Sequence, residues 1–223
     1  MTGHGIDTRR IVYEDDWLIV FDKPSGLLVI ETPKRERRTL TNLLNDHLDA
    51  KGVEANAHPC HRIDRETSGL VIYAKGKSVQ RRMMDEFKRR TVKKLYIAFV
   101  HGRPKRPQDT IQGYLYNRNK GRRELALTRY RVLESRDGFS VVEAEPITGR
   151  TNQIRRQFHD LGHPILGERV WAFRKDYPLK FRRLALHARS IEFTHPMTQH
   201  RITLTAELPQ DMREFLKRHG CGV

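Results

Sequence analysis

His61-Arg62-Ile63-Asp64-Arg65-Glu66-Thr67-Ser68-Gly69-Leu70 sets one carboxylate between two arginines and runs directly into the apolar segment Leu70-Val71-Ile72-Tyr73-Ala74. The apolar segment reads as a strand, and Asp64 to Gly69 has the composition of an ordinary solvated turn leading into it. Charge adds a second reading of Asp64. Two flanking guanidinium groups favour the ionised carboxylate, a ready anion at neutral pH able to act as nucleophile or general base.

The run His-Arg-x-Asp has a decoy in the His-Arg-Asp loop of protein kinases, but here the aspartate is displaced by one position. The chain also has neither a Gly-rich phosphate loop nor an Asp-Phe-Gly triplet. Kinase chemistry is excluded on both counts.

Outward from this stretch, the balance of charge is the next constraint. Against 27 Asp plus Glu stand 43 Lys plus Arg, a formal net charge of +16 in 223 residues, with a pI near 10.2. That is far more than solubility requires and points to a polyanionic partner. A membrane surface is the competing polyanion. It calls for a basic amphipathic helix with large apolar anchors or a lipidation signal, and neither is present. No run approaches the roughly 18 apolar residues of a spanning helix, so a cytoplasmic protein with no membrane contact is expected. The two cysteines, Cys60 and Cys221, make no disulfide framework and no Cys-x-x-Cys site. His58, Cys60 and His61 are crowded into four residues with no second cluster, poor spacing for tetrahedral zinc, and no metal is expected.

Periodicity places the elements. Trp17 to Asp22 is a strand stopped by the turn Pro24-Ser25-Gly26. Thr39 caps a helix with Leu40, Leu43, Leu44 and Leu48 on one stripe. A helix over Ser78 to Arg90 stacks Val79, Met83 and Phe87 and carries Arg81, Arg82, Lys88, Arg89 and Arg90 on its polar face. Lys93 to Val100 is a strand with Tyr96, Ala98 and Val100 on one side. Leu125 to Leu133 and Phe139 to Glu145 form a hairpin across Arg136-Asp137-Gly138. Ile154, Phe158 and Leu161 mark a helix that leaves Arg155 and Arg156 off its apolar stripe and ends at Gly162. Leu184 to Phe193 and Arg201 to Ala206 make a second hairpin, and Pro209 to Arg218 a last helix. Strands outnumber helices and many are sequence neighbours, which predicts an α+β fold with a mixed, largely antiparallel sheet and flanking helices. No linker composition divides the chain. One catalytic domain over residues 9–219 is expected, between a tail at 1–8 and another at 220–223.

With the elements placed, the chain resembles the RluA-like pseudouridine synthases from about Tyr13 to Leu208. The likeness rests on four stations in order: Asp22-Lys23-Pro24-Ser25-Gly26-Leu27, the decapeptide at His61, Lys93-Lys94-Leu95-Tyr96-Ile97-Ala98, and Pro146-Ile147-Thr148-Gly149-Arg150-Thr151-Asn152-Gln153-Ile154-Arg155. Gly162-His163-Pro164-Ile165-Leu166-Gly167 and Leu184-Ala185-Leu186-His187-Ala188 add two weaker ones. Ordered agreement across most of a chain is far more specific than a single short motif.

The resemblance implies the pseudouridine synthase catalytic fold and the isomerisation of uridine in ribosomal or transfer RNA, without metal or organic cofactor. It implies Asp64 as the catalytic carboxylate, either as nucleophile at the sugar or as a base. Tyr96 is implied to contact the uracil and take part in proton removal from C5; the plainer alternative is a core tyrosine. Arg155 is implied to pair with Asp64, the plainer alternative being a solvated helix arginine. Arg62 is implied to enter the RNA beside the extruded nucleotide. Leu186 would floor the uracil pocket, which core packing explains equally well. RNA contact is expected from Arg62, Arg65, Arg81, Arg89, Arg150 and Asn152, and more widely from Lys34 to Arg38, Arg81 to Arg90, Arg118 to Arg123 and Arg174 to Arg183. The family often has histidines where this chain has Asn152 and Gln157, and the small RNA-binding module that precedes many relatives is not expected here, so that target selection would fall to the domain's own basic surface. A monomer is expected. The rival is a non-catalytic RNA-binding or ribosome-assembly protein using the same basic surface, which would need none of Asp64, Tyr96 and Arg155.

Overall fold

A computed structural model describes residues 5–33, 36, 38–118, 120–172 and 177–222. Lys34, Arg35 and Arg37 of the expected basic loop, Arg174 of the last basic segment and residues 1–4 of the expected tail lie outside the described residues. In chain order the first elements are β1 (Ile11–Glu14), β2 (Leu18–Lys23), α1 (Leu40–Ala50), β3 (Ala57–Pro59), β4 (Ser68–Lys75) and α2 (Lys77–Arg89). There follow β5 (Lys93–His101), β6 (Gln108–Asn117), β7 (Arg122–Arg136), β8 (Phe139–Pro146), α3 (Gln153–Asp160), β9 (Leu186–Thr194), β10 (Arg201–Thr205) and α4 (Gln210–Arg218). The fold is α+β. The sheet is largely antiparallel: β1–β2, β2–β4, β3–β4, β9–β10, β5–β8, β7–β8 and β6–β7 all pair antiparallel, and an isolated parallel bridge outside these strands joins Leu28 to Thr39. Among the described residues no helix is long and apolar enough to cross a membrane.

The chain divides into two compact units, with breaks after Val92, inside β9 after Arg189, and after Ala206. The first holds Met1–Val92 and Ser190–Ala206, the second Lys93–Arg189 and Glu207–Val223. In the first unit β2 lies between β1 and β4, β3 pairs with the far end of β4, and β10 pairs with the later half of β9. The core gathers Leu18 and Val20 of β2, Leu70, Ile72 and Ala74 of β4, Val79 and Met83 of α2, and Ile191 and Phe193 of β9. Phe87 packs against it from the last turn of α2, completing the expected stripe. Thr39 caps α1 by accepting the Asn42 amide at 3.2 Å. Leu40, Leu44 and Leu48 are sealed beneath that helix.

In the second unit β8 lies between β5 and β7, and β6 pairs with β7 along its whole length. Asp137 and Gly138 form the expected two-residue turn, bringing Arg136 opposite Phe139, with Gly138 at φ 79° where glycine carries no steric cost. Phe215 of α4 packs on Phe99 and Phe139, ring centroids 5.7 and 5.1 Å away. Strand β5 is buried on both faces from Tyr96 to His101, more than its alternation requires.

Strands β1, β3 and β6 go beyond what periodicity predicts. β1 and β3 are only four and three residues long. β6 exposes every second residue and is rich in Gln, Thr and Asp, so its two-residue period shows in burial and not in hydropathy. Leu161 departs the other way. Expected on the apolar stripe, it is 41% exposed just past the end of α3.

Candidate active site

Asp64 sits half-buried in the loop between β3 and β4, in the first unit. Its carbonyl accepts the Thr67 amide at 3.1 Å, closing the turn that the composition predicts. On one side the loop is pinned by His61, whose Nε2 accepts the Ile72 amide at 3.1 Å. On the other it is pinned by the first station. Lys23 is fully buried, and its ammonium donates to the carbonyls of Pro24, Leu27 and Arg65 at 3.0, 2.8 and 3.1 Å. Gly26 donates its amide to the Arg65 carbonyl at 2.7 Å, and Ser25 its hydroxyl to the Glu66 carbonyl at 2.6 Å. Two stretches some forty residues apart in sequence are thus one structural device, which fixes the backbone immediately after Asp64. A buried ammonium needs such a set of acceptors, because an uncompensated charge away from water costs several kcal/mol.

Of the arginines flanking Asp64, Arg62 is exposed and Arg65 is tied back. Arg65 donates to the Gly26 carbonyl at 3.1 Å and to Glu36 at 2.8 Å. It also lines a cleft of about 620 Å³ with Arg10, Arg38, Phe21, Leu27 and Leu28. Arg81 and Arg89 are exposed on α2, with Arg89 3.7 Å from Glu86.

The second unit carries Tyr96 and Arg155. Tyr96 lies on β5 opposite Ala144 of β8 and is almost wholly buried. Arg155 is only 5% exposed, so the helix arginine expected off the apolar stripe is not solvated. The reason is an acid that sequence spacing does not single out. Glu168 takes Arg155 in a fork, Nε to Oε2 at 2.8 Å and Nη2 to Oε1 at 2.9 Å, while Nη1 donates to the Asn152 side chain at 3.1 Å. Trp171 adds a face-on contact, its ring centroid 5.0 Å from the guanidinium carbon. Glu168 also accepts the amides of Arg169 and Val170 at 2.9 and 2.8 Å. Burial pushes its carboxyl pKa up, but the Arg155 hydrogen bonds, the Val170 amide, the Arg155 charge and the Arg169 amide outweigh it. The net shift is below the ordinary value, so Glu168 is an anion at neutral pH.

Side chains hold α3 in place from below. Gln153 donates to the Leu127 carbonyl and Thr128 hydroxyl, both at 2.9 Å, and accepts from Thr148 and the Arg150 amide. One turn on, Gln157 donates to the carbonyls of Ile111 and Ala126 and accepts from Thr128. The departure from histidine at Gln157 is therefore a buried tie between α3 and the β6–β7 hairpin. Asn152, the other departure, starts α3 in the left-handed region at φ 53° and spends its side chain on Arg155 in place of capping. Arg150 is turned inward to Glu124 at 2.9 Å and to the Leu125 carbonyl at 3.0 Å.

The two weaker stations position Glu168. Leu166 donates to the Phe99 carbonyl, Ala185 to the Leu166 carbonyl, and Phe99 to the Ala185 carbonyl, so both stations are stitched to β5. Gly167 makes this close approach possible. Its φ is +81°, and a Cβ there would meet the Arg183 carbonyl oxygen at 1.7 Å. Leu186, in the first part of β9, is buried.

The model of the RNA pseudouridylate synthase family matches residues 17–160 of this chain, well over half of it. The chain belongs to this family. It is 33% identical over 232 residues to a protein of Zymomonas mobilis named ribosomal large subunit pseudouridine synthase D, covering 93% of this chain and 72% of that protein. To the RNA pseudouridine synthase YlyB of Bacillus subtilis, whose name carries the word uncharacterized, it is 34% identical over 218 residues, 93% of this chain and 71% of the other. Among solved structures, human RNA pseudouridylate synthase domain containing 4 superposes with a TM-score of 0.80 at 25% identity, covering 97% of this chain and 95% of the human one. The family makes this chain an RNA pseudouridine synthase, an isomerase whose substrate is RNA.

Proposed function

We propose that the chain isomerises uridine to pseudouridine in large-subunit ribosomal RNA, with Asp64 as the reacting carboxylate, Tyr96 against the uracil and Arg155 as the cation that keeps Asp64 ionised and aimed. The observation that carries this reading is the span of the family match, which takes in all three residues. The name of the Zymomonas relative, ribosomal large subunit pseudouridine synthase D, favours ribosomal RNA as the substrate class.

The chemistry is balanced without a donor or oxidant. The bond from the sugar C1′ to N1 breaks, C1′ joins C5 of the rotated uracil, C5 loses a proton and N1 gains one. Asp64 assists by attacking the sugar or by removing a proton from it, and Tyr96 by accepting the C5 proton directly or through water. Arg155 suits its role because a guanidinium donates five hydrogen bonds, so Glu168 and Asn152 do not exhaust it. The glycosidic bond is unreachable inside a stack, so the uridine is extruded at a cost of about a few kcal/mol. Arg62, exposed two residues before Asp64, is the side chain assigned to the gap it leaves.

Wild type and Asp64→Asn, incubated with ribosomal RNA tritiated at uracil C5, test the assignment. Wild type releases tritium to water, and the variant loses release while keeping most of its RNA affinity, since affinity rests on phosphate contacts and falls steeply with salt. Equal release by both proteins would overturn the role of Asp64. Binding without release by either would favour the non-catalytic rival.

A further inference from the structure

Tyr114 and Tyr116 of β6 are 65% and 54% exposed, unusual for large aromatic side chains in a well-packed sheet. Two residues apart on a strand, they share one face and stand about 7 Å from each other along it. The register with β7 fills in the surroundings: Tyr116 faces Arg123, Tyr114 faces Leu125, and Gln112 and Leu127 continue the face. Further along it Arg129 and Arg131 face Glu145 and Glu143 at 3.6 and 3.0 Å, which neutralises that end. Paired through its backbone with Tyr116, Arg123 makes no side-chain hydrogen bond or ion pair among the described residues, and the charge beside the tyrosines is therefore positive. Gln157 and α3 cover the opposite face of the hairpin through the Ile111 and Ala126 carbonyls, so the tyrosine face is the outward one. β6 pairs with β7 alone among the described strands, an edge with no neighbour beyond it.

We propose that this face of the β6–β7 hairpin, with Tyr114, Tyr116 and Arg123, is a stacking platform for unpaired nucleotides of the RNA substrate. The proposal rests on the chain being an enzyme of RNA, and it is independent of which residues carry the catalysis. Aromatic faces on a sheet take bases one per ring with little regard to sequence, and a nearby arginine supplies phosphate contact or a further stacking plane. A spacing of about 7 Å is twice the stacking distance of a duplex, so it suits an extended single strand and excludes two bases stacked on each other. A protein partner fits less well. Two tyrosines bordered by Gln112, Thr110 and arginines make an apolar area far below a standard protein interface. Cross-strand stabilisation of the hairpin accounts for Tyr114 over Leu125 but not for leaving most of both rings in water.

The test uses the full chain and a fluorescein-labelled single-stranded RNA of about 12 nucleotides of mixed sequence, within the range such surfaces bind. Dissociation constants are measured across a salt series for wild type, Tyr114→Ala/Tyr116→Ala, Tyr114→Phe/Tyr116→Phe and Arg123→Gln. The alanine pair is expected to bind at least about 30-fold more weakly at every salt concentration with an unchanged salt slope, because stacking releases no counterions. The phenylalanine pair is expected to stay within about twofold of wild type, and Arg123→Gln to lower the slope by about one phosphate contact. Thermal unfolding of each variant confirms that the exposed substitutions leave the fold intact. Wild-type affinity in the alanine pair overturns the proposal, as does a phenylalanine pair as weak as the alanine pair. Tritium release by Asp64→Asn is measured separately. Failure there removes the catalytic reading and leaves the dodecamer result to decide the platform.

Discussion

The guanidinium of Arg155 is gripped at two points by Glu168, at 2.8 and 2.9 Å, with both side chains almost entirely withdrawn from solvent. Breaking a buried pair from one side costs about 3–5 kcal/mol, because the remaining charge is left without its partner. Glu168→Gln is therefore expected to lower stability by several kcal/mol in a chemical denaturation curve. In tritium release it should depress kcat more than KM, since Arg155 loses its fixed direction while the RNA-contacting surface stays. A variant with full kcat would show that Glu168 serves the fold alone.

The same pair sets an acid limit. The folded Glu168 carboxyl lies below its ordinary value of 4.5, so its contribution is fully present above that value and is lost as pH falls through the depressed folded one. Wild type is expected to lose stability below about pH 4.5 faster than Glu168→Gln, and the two unfolding midpoints should converge there. Parallel curves down to pH 3 would contradict this account.

Lys23→Met keeps the stem and removes the ammonium that joins the carbonyls of Pro24, Leu27 and Arg65. The half-buried carbonyls of Pro24 and Leu27 lose this donor while that of Arg65 keeps the Gly26 amide, a cost of about 1 kcal/mol or somewhat more. Hydrogen exchange should rise at the Gly26 and Thr67 amides, which bond across and within this loop, and tritium release should fall although residue 23 is remote in sequence from Asp64. Unchanged exchange at both amides would show that the ammonium is not what braces the loop.

Gly167→Ala meets two obstacles at once, a φ of +81° and a carbonyl oxygen 1.7 Å from the new carbon. The backbone conformation alone costs about 1–3 kcal/mol for a non-glycine residue, and the clash forces the segments at Gly167 and Arg183 apart. The expected result is a melting temperature lowered by several degrees or poor recovery of folded protein. Gly121→Ala, with φ +60° and nothing near its missing Cβ, is the control for the dihedral cost without the clash.

Much of the fold was legible because its elements carry local signals: the Thr39 cap, the Asp137-Gly138 turn, the four-residue stripe of α2. β6 was hidden because its exposed face mixes Gln108, Thr110 and Gln112 with Tyr114 and Tyr116, so exposure alternates along the strand while hydropathy does not. Family motifs name Asp64, Tyr96 and Arg155 as the candidate site, but the residues that support Arg155 carry no signal in the sequence. Glu168 lies thirteen residues after Arg155, a separation belonging to no helix or strand period, and the loop returns it only because Gly167 lets the chain pass against Arg183. Arg155 misleads for a related reason. Helical periodicity assigns a charged residue to water unless a buried partner is known.

Lys23 and Arg65 are 42 residues apart, with α1 and β3 formed by the chain between them. Closing so long a loop carries an entropic cost that local elements do not. The helix and hairpins can form early, while the segment around Asp64 acquires its shape only when the first station docks. A partly folded chain therefore already displays much of its basic surface and has no ordered carboxylate, so RNA binding should appear before activity during refolding.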